Sequence, residues 1–118
     1  MTFLSKNLVK SGEDLARRFL VKKGFKILGT NVFYPVGEID ILAQDKKDLV
    51  IVEVKTKSSE EFGLPQEMVH LHKQKKLRQL AKTLAVKYPN ETIRIDVVAV
   101  SFFAEEVKIE YIRNAVEE

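Results

Sequence analysis

The sequence contains no cysteine, so the chain can form no disulfide, no thiolate metal site and no cysteine nucleophile. Such a composition is typical of a reducing compartment. No apolar run is long enough for a signal peptide or a membrane span, which predicts a cytoplasmic protein with no membrane partner. The 118 residues are 45% hydrophobic and 31% charged, a balance that predicts one folded domain over residues 1–118.

Acidic residues are absent from Met68 to Asn90, where every charged residue other than histidine is lysine or arginine. The net charge of +3 is too small by itself to indicate a nucleic-acid partner. Its distribution is more informative, because a stretch of one sign can give a basic face that attracts phosphates. The alternative is a lysine-rich helix whose side chains are solvated.

Apolar residues at helical spacing predict a first helix from about Ser5 to Lys23, which Gly24 should end. A capping box formed by Ser11 and Asp14 would instead begin the regular helix later. Both starting points are compatible with the sequence.

Five strands are predicted around a second helix, which begins near Pro65 and ends before Pro89. The strands follow from short apolar or alternating runs that are separated by turn signals. Gly29 is a point where the first strand could be broken. The predicted strands are Phe25–Tyr34, Glu38–Ala43, Leu49–Lys55, Ile93–Phe103 and Val107–Ile112.

The second and third strands flank a polar tetrapeptide and therefore predict an antiparallel hairpin. If the hairpin turns about the Lys46–Lys47 bond, facing residues have numbers that sum to 93, and Asp40 faces Glu53. Facing like charges destabilise a sheet, and a divalent cation with oxygen ligands would relieve the repulsion. A loop of odd length would shift the register by one residue and separate the two acids.

Alternation along the third strand places Leu49, Ile51, Glu53 and Lys55 on one face. That face changes from apolar to charged, which is typical of an active site at the rim of a cleft. The same register pairs Lys55 with Glu38. The alternative is a Glu-Lys pair at an ordinary solvated strand end.

Two helical residues extend this pattern. Glu13 shares a helical row with Ala16 and Leu20, and Lys73 shares one with Leu77, so each is predicted to face the cleft. The alternatives are a glutamate that favours the dipole near a helix start and a lysine whose stem covers apolar surface.

The chain resembles the bacterial YraN-like family over nearly its whole length. That family is similar to the restriction-endonuclease-like nuclease superfamily, particularly the archaeal Holliday-junction resolvases. The signature of the superfamily is an acidic residue followed by E-x-K, often preceded by a helical glutamate. The residues that carry the resemblance are Gly12–Glu13, Asn31, Gly37–Asp40, Val52–Thr56, Phe62–Gly63, Lys73 and Arg94–Val98.

The resemblance implies an α/β fold with a restriction-endonuclease-like, mixed five-stranded sheet flanked by helices. It implies that Asp40, Glu53 and the carbonyl of Val54 hold Mg²⁺ or Mn²⁺. Glu13 would complete the acidic cluster, and Lys55 would lie beside the attacking water. Gln66 or Lys73 would contribute from the second helix.

These residues together predict a metal-dependent phosphodiesterase of nucleic acid. The resemblance implies that it is similar to endonucleases that act on branched or duplex DNA. The alternatives are a non-catalytic nucleic-acid-binding module of the same fold and a structural interaction protein. A homodimer is a further expectation, with Phe102 and Phe103 at the interface unless they belong to the core. The basic residues expected to contact the nucleic acid are Lys73, Lys76, Arg78, Arg17 and Lys57.

Overall fold

The structure, a computed structural model, describes residues 3–57 and 70–117, with side chains from Lys10 onward. Two helices and five strands follow the predicted order. Pro65, Gln66 and the pair Phe62–Gly63 lie outside the described residues. His70 has an extended backbone and the second helix begins at Leu71, so the predicted helix that continues from Pro65 is wrong there. The elements are α1 (Phe3–Lys22), β1 (Lys26–Tyr34), β2 (Gly37–Asp45), β3 (Asp48–Lys57), α2 (Leu71–Lys87), β4 (Thr92–Phe103) and β5 (Glu106–Ile112).

The five strands form one sheet in the order β1-β2-β3-β4-β5. The β3–β4 pair is parallel and the other three pairs are antiparallel. A parallel pair needs a crossover connection, and α2 lies in the segment that joins β3 to β4. The predicted mixed five-stranded sheet flanked by helices is therefore confirmed.

The two helices pack on opposite faces of the sheet, so the central strands are apolar on both sides. Each side of the sheet has its own core of buried residues, and burial of each large apolar side chain contributes roughly 1.5–3 kcal/mol. The α1 side is built from Ala16, Leu20, Val50, Val52, Val98 and Val100. The α2 side is built from Leu49, Ile51, Leu77, Leu80, Leu84, Ile95 and Val97.

The first helix begins early and includes Ser11 and Asp14, so the later start from a capping box is wrong. Gly24 ends the helix as predicted, because its φ of 97° is in the left-handed region that favours glycine. The first strand continues through Gly29 and accommodates it with a register shift against β2.

The exposed apolar residues fall outside the two cores. Phe102 packs against the α1-side core, whereas Phe103 is 48% exposed at the end of β4. The two phenylalanines therefore differ in environment, as alternation along a strand requires. In the described ranges, neither helix is long and apolar enough to cross a membrane.

A glycine lets α1 approach the sheet closely. A Cβ atom built on Gly12 would collide with Oγ1 of Thr56 on β3 and would lie 2.9 Å from its Cγ2. Because both branches of the threonine and its Cβ at 3.1 Å crowd this point, a rotamer change cannot relieve the contact. Gly12 therefore sets the distance between α1 and β3 next to Glu13.

Replacement of Gly12 by alanine should destabilise the protein by about 1–3 kcal/mol, because overpacking outweighs the better helix propensity of alanine. Thr56→Ala in the same chain should recover most of the loss. Urea unfolding of the two single variants and the double variant measures the coupling. A Gly12→Ala variant as stable as the wild type would contradict the close approach.

Candidate active site

The hairpin of β2 and β3 has the predicted register. The ladder runs from the pair Ile41–Val52 to the pair Asp45–Asp48, across a two-residue turn at Lys46–Lys47. Each facing pair has numbers that sum to 93, as predicted for a turn about that bond. This register directs Asp40 and Glu53 toward each other at the open end of the ladder.

The regular ladder ends at Ile41–Val52, and the next contact between the two strands is made by the side chain of Asp40. The backbone N–H of Val54 donates to Oδ2 of Asp40 at 2.9 Å, so a side-chain carboxylate serves as the acceptor. The predicted facing pairs Asp40–Glu53 and Glu38–Lys55 therefore lie beyond the ladder.

Packing on either side of Asp40 confirms that β2 is irregular there. Ile39 belongs to the α2-side core and Ile41 to the α1-side core, although residues two apart in a regular strand share one face. The neighbouring β1 is distorted at the same level, since Asn31 has a φ of 51°. Asp40 thus occupies a break in the alternation, from which its carboxylate reaches across to β3.

The carboxyl group of Glu53 meets that of Asp40, within hydrogen-bonding reach, on the α2 side of the sheet. Burial raises the pKa of Glu53 to about 7, with a further contribution from the charge of Asp40. The ammonium of Lys73, 3.5 Å from Oε2 of Glu53, opposes the rise. The side chain of Glu53 is only 12% exposed. Two acids and one base are therefore brought together at this point.

Glu13 approaches Asp40 from the other face of the sheet, on α1. Burial raises the pKa of Glu13, and the charges of Asp40 and Glu38 raise it further. Glu13 and Asp40 line a cleft of about 160 Å³, together with Lys10, Arg17 and Asn31 among others. Glu13 on α1 and Glu53 on β3 thus approach Asp40 from opposite faces of the sheet.

Lys55 lies two residues beyond Glu53 on β3, opposite Ala99 in the ladder with β4. Alternation gives Lys55 the same face as Glu53, at a separation of about 7 Å along the strand. The side chain is partly exposed, and Lys55 forms no ion pair within residues 3–57 and 70–117. Its ammonium can therefore turn toward the opening between β2 and β3.

The basic residues predicted to contact nucleic acid have different environments. Lys76 is exposed on α2, and Lys57 is partly exposed at the end of β3. Arg78 donates to the carbonyl of Glu117, which holds it against the end of the chain. Arg17 pairs with Asp14 at 2.9 Å beside the acidic cleft. Lys73 contacts Glu53, so it belongs to the acidic site itself.

The donor set fits a hard divalent cation. Carboxylate oxygens are the ligands that Mg²⁺ and Mn²⁺ prefer, and one or two are enough when water and substrate oxygens supply the rest. Asp40 and Glu53 meet this requirement, because burial and the charge of Asp40 raise the pKa of Glu53 and a cation between the two carboxylates would favour its ionised form. Over the described part of the chain, no group of three or more histidine, aspartate or glutamate side chains could hold a metal ion.

Sequence patterns missed three contributors to the site. Lys10 lines the acidic cleft, and its position three residues before Glu13 could have indicated this. Glu38 adds charge near Glu13 instead of pairing with Lys55. Asn31 contributed to the family resemblance alone, because a left-handed residue inside a strand leaves no periodic signal.

The raised pKa of Glu53 predicts a pH-dependent gain of stability in the Glu53→Gln variant. A carboxyl pKa raised on folding stabilises the protein below about pH 4.5, and this contribution is lost as the pH rises through about 7. Glu53→Gln should therefore have a higher free energy of unfolding than the wild type at pH 8. This gain should be about 1–3 kcal/mol larger at pH 8 than at pH 5.

Urea unfolding at both pH values in EDTA measures this difference, and Glu91→Gln on an exposed site is the matched control. If Glu53→Gln changed the free energy of unfolding by the same amount at pH 5 and at pH 8, the pKa of Glu53 would not be raised.

A family model described as "Uncharacterised protein family UPF0102" matches residues 12–100. The UPF0102 protein of Thermodesulfovibrio yellowstonii is 45% identical over 92% of this chain and 94% of its own length. The UPF0102 protein of Flavobacterium psychrophilum is 44% identical over 92% of each chain.

A solved structure described as an EndoMS–dsDNA2 complex is 22% identical and has a TM-score of 0.46. It covers 68% of this chain, which spans 29% of that one. A likeness of this size carries no property of the complex to this chain. The family model, by contrast, matches residues 12–100, which include Glu13, Asp40, Glu53 and Lys55, and each of the two relatives covers 92% of this chain. The chain therefore belongs to the UPF0102 family.

Proposed function

We propose that the chain is a metal-dependent phosphodiesterase that cleaves nucleic acid, with branched or duplex DNA as the expected substrate. The observation that carries the proposal is the meeting of the Asp40 and Glu53 carboxyl groups at the point where the β2–β3 ladder opens. Such proximity raises the free energy of the unliganded site, so it favours a function in which a cation binds there.

Asp40 and Glu53 would hold Mg²⁺ or Mn²⁺, with the carbonyl of Val54 as a further ligand. When bound, the metal supplies Lewis-acid polarisation of a phosphoryl oxygen and a lowered pKa for a coordinated water. The hydrogen bond from the N–H of Val54 fixes one oxygen of Asp40, and the carboxyl group of Glu53 lies within hydrogen-bonding reach of the same side chain. Glu53 loses its proton more readily once positive charge is near it.

Lys55 would orient the attacking water or stabilise charge on the phosphoryl group, since it shares the face of Glu53. Lys73 lies 3.5 Å from Oε2 of Glu53, where it offsets part of the charge on Glu53 and would meet a phosphate oxygen of the substrate. Glu13 would add negative charge near Asp40 from the side of α1.

Basic residues around the site would hold the phosphate backbone and fix its position without reading sequence. Lys76 is exposed on the helix that carries Lys73, and Arg17 lines the cleft with Glu13. Lys57 on β3 and Arg78 on α2, both partly exposed, would contribute further contacts to the phosphate backbone. Binding of this kind weakens as salt concentration rises.

A second candidate is a non-catalytic module of the same fold that binds nucleic acid. The ion pair of Lys73 with Glu53 favours it, because an ammonium already compensates one of the two acids. The module predicts binding that weakens with salt and no cleavage in Mn²⁺.

Isothermal titration should detect Mn²⁺ binding to the wild type and a large loss of heat in Asp40→Asn and in Glu53→Gln. The amide oxygen of asparagine can still accept a hydrogen bond from the N–H of Val54. Asp40→Asn therefore removes the negative charge of the side chain without removing the contact that ends the ladder. Glu91→Gln is the matched control and should bind like the wild type. Equal heats in Asp40→Asn and the wild type would reject the metal site.

In a cleavage assay on branched and duplex DNA with Mn²⁺, Lys55→Ala should lose on the order of 100-fold in rate while it still binds DNA. Lys82→Ala, an exposed lysine on α2, is the matched control and should retain its rate. Binding without cleavage by the wild type in Mn²⁺ would favour the module.

A further inference from the structure

A second polar centre lies at the turn end of the β2–β3 hairpin, far from the acidic site. Glu53 is five residues beyond Asp48 on β3, so the two regions are separated by about 16 Å along the strand. A cleft of about 670 Å³ opens here. Four cationic side chains line it: Lys23, Lys46, Lys47 and Arg113.

The floor of this cleft is a buried charge network around Arg94. The guanidinium, 6% exposed, donates to Asp96 at 2.9 Å, to Asp48 at 2.7 Å and to Asp45 at 2.9 Å. Burial alone would lower the pKa of Arg94, but the hydrogen bonds to Asp96 and Asp45 raise it above its ordinary value. Arg94 therefore compensates the two acids that face each other across the turn.

The network also holds the segments that carry the cations. Asp96, which is completely buried, accepts from the hydroxyl of Tyr111 at 2.6 Å and from the backbone N–H of Asn114 at 2.9 Å. The ammonium of Lys23 lies 5.1 Å from the centre of the Tyr111 ring. One buried centre therefore holds the turn and the end of β5 together, which preorganises the backbone that carries Lys46, Lys47 and Arg113.

The cations at the rim of the cleft are not fully compensated by the aspartates beneath them. Lys46 and Lys47 are exposed, and within the described ranges neither forms an ion pair. Arg113 is 64% exposed and lies 3.9–4.0 Å from the oxygens of Asp48 and Asp45, which is a weak contact. The cleft and its floor together contain five cationic and three anionic side chains, an excess of two positive charges.

We propose that this cleft binds a terminal phosphate monoester, either of a free nucleotide or of a nucleic-acid strand end. A monoester carries a charge of about −1.5 to −2 near pH 7, which matches the excess of positive charge. An internal phosphodiester carries one negative charge and would leave part of the excess uncompensated. The lysines and the arginine supply several donors to one small group. The site is independent of the proposed phosphodiesterase activity.

The test uses fluorescence anisotropy in EDTA at low salt. The probes are DNA octamers that carry fluorescein on an internal base and a phosphate at the 5′ end, at the 3′ end or at neither. A terminal phosphate should tighten binding to the wild type by on the order of tenfold. Adenosine 5′-monophosphate should compete with the phosphorylated octamer better than adenosine does if the site takes free nucleotides; competition by neither, with the tenfold preference intact, identifies the strand end.

The double variant Lys46→Gly/Lys47→Ala should lose the preference for the terminal phosphate. Glycine suits position 46, where φ is 57°, so the turn is retained. Lys75→Ala/Lys82→Ala on exposed α2 sites is the matched control and should keep the preference even if both octamers bind more weakly.

Asp40→Asn should also keep the preference, which separates this site from the acidic one. Equal affinities of the wild type for octamers with and without a terminal phosphate would overturn the proposal. An undiminished preference in Lys46→Gly/Lys47→Ala would overturn it as well.

Discussion

The hydrogen bond from the backbone N–H of Val54 to the carboxylate of Asp40 is the interaction on which the candidate site depends. A regular ladder would continue past Ile41–Val52 and satisfy this N–H with a backbone carbonyl. Asp40 takes the place of that carbonyl and brings a negative charge beside Glu53. The ladder thus ends because the carboxylate of Asp40, and not a backbone carbonyl, accepts the N–H of Val54. The same contact brings Asp40 and Glu53 together.

The rest of the fold holds the acids together against their repulsion. Apolar packing on both faces fixes β3 between the helices, so Glu53 cannot withdraw without disturbing the core. Gly12 brings α1 close enough for Glu13 to approach Asp40, and Lys73 on α2 offsets part of the charge. The paired acids consequently lower the free energy of unfolding, and the burial of the central strands offsets this loss.

Much of the fold could be predicted from the sequence because it follows from periodicity and turn chemistry. The two-residue turn fixed the register, and the register directed Asp40 toward Glu53. The break in β2 could not be predicted, since it depends on the left-handed backbone of Asn31 in the neighbouring strand and on an N–H of β3. Such contacts between strands leave no repeat in the sequence.

The charge network around Arg94 is a second feature whose role could not be predicted from the sequence. The register that pairs Asp40 with Glu53 also pairs Asp45 with Asp48, which presents the same problem of facing acids. Here the compensating cation is supplied by the chain itself, from Arg94 of β4. The signal in the sequence is the presence of Arg94 and Asp96 in an otherwise apolar strand. Its meaning emerges only when β4 lies beside β3.

The central claim is that the acids at the end of the ladder form a site for a divalent cation, whereas the acids at the turn are already compensated. Anomalous diffraction from crystals soaked in Mn²⁺ distinguishes the two places directly. The account predicts an anomalous peak between the carboxylates of Asp40 and Glu53 and none at Asp45 and Asp48. A structure with Mn²⁺ at the turn, or with no peak beside Asp40 at saturating metal, would contradict it.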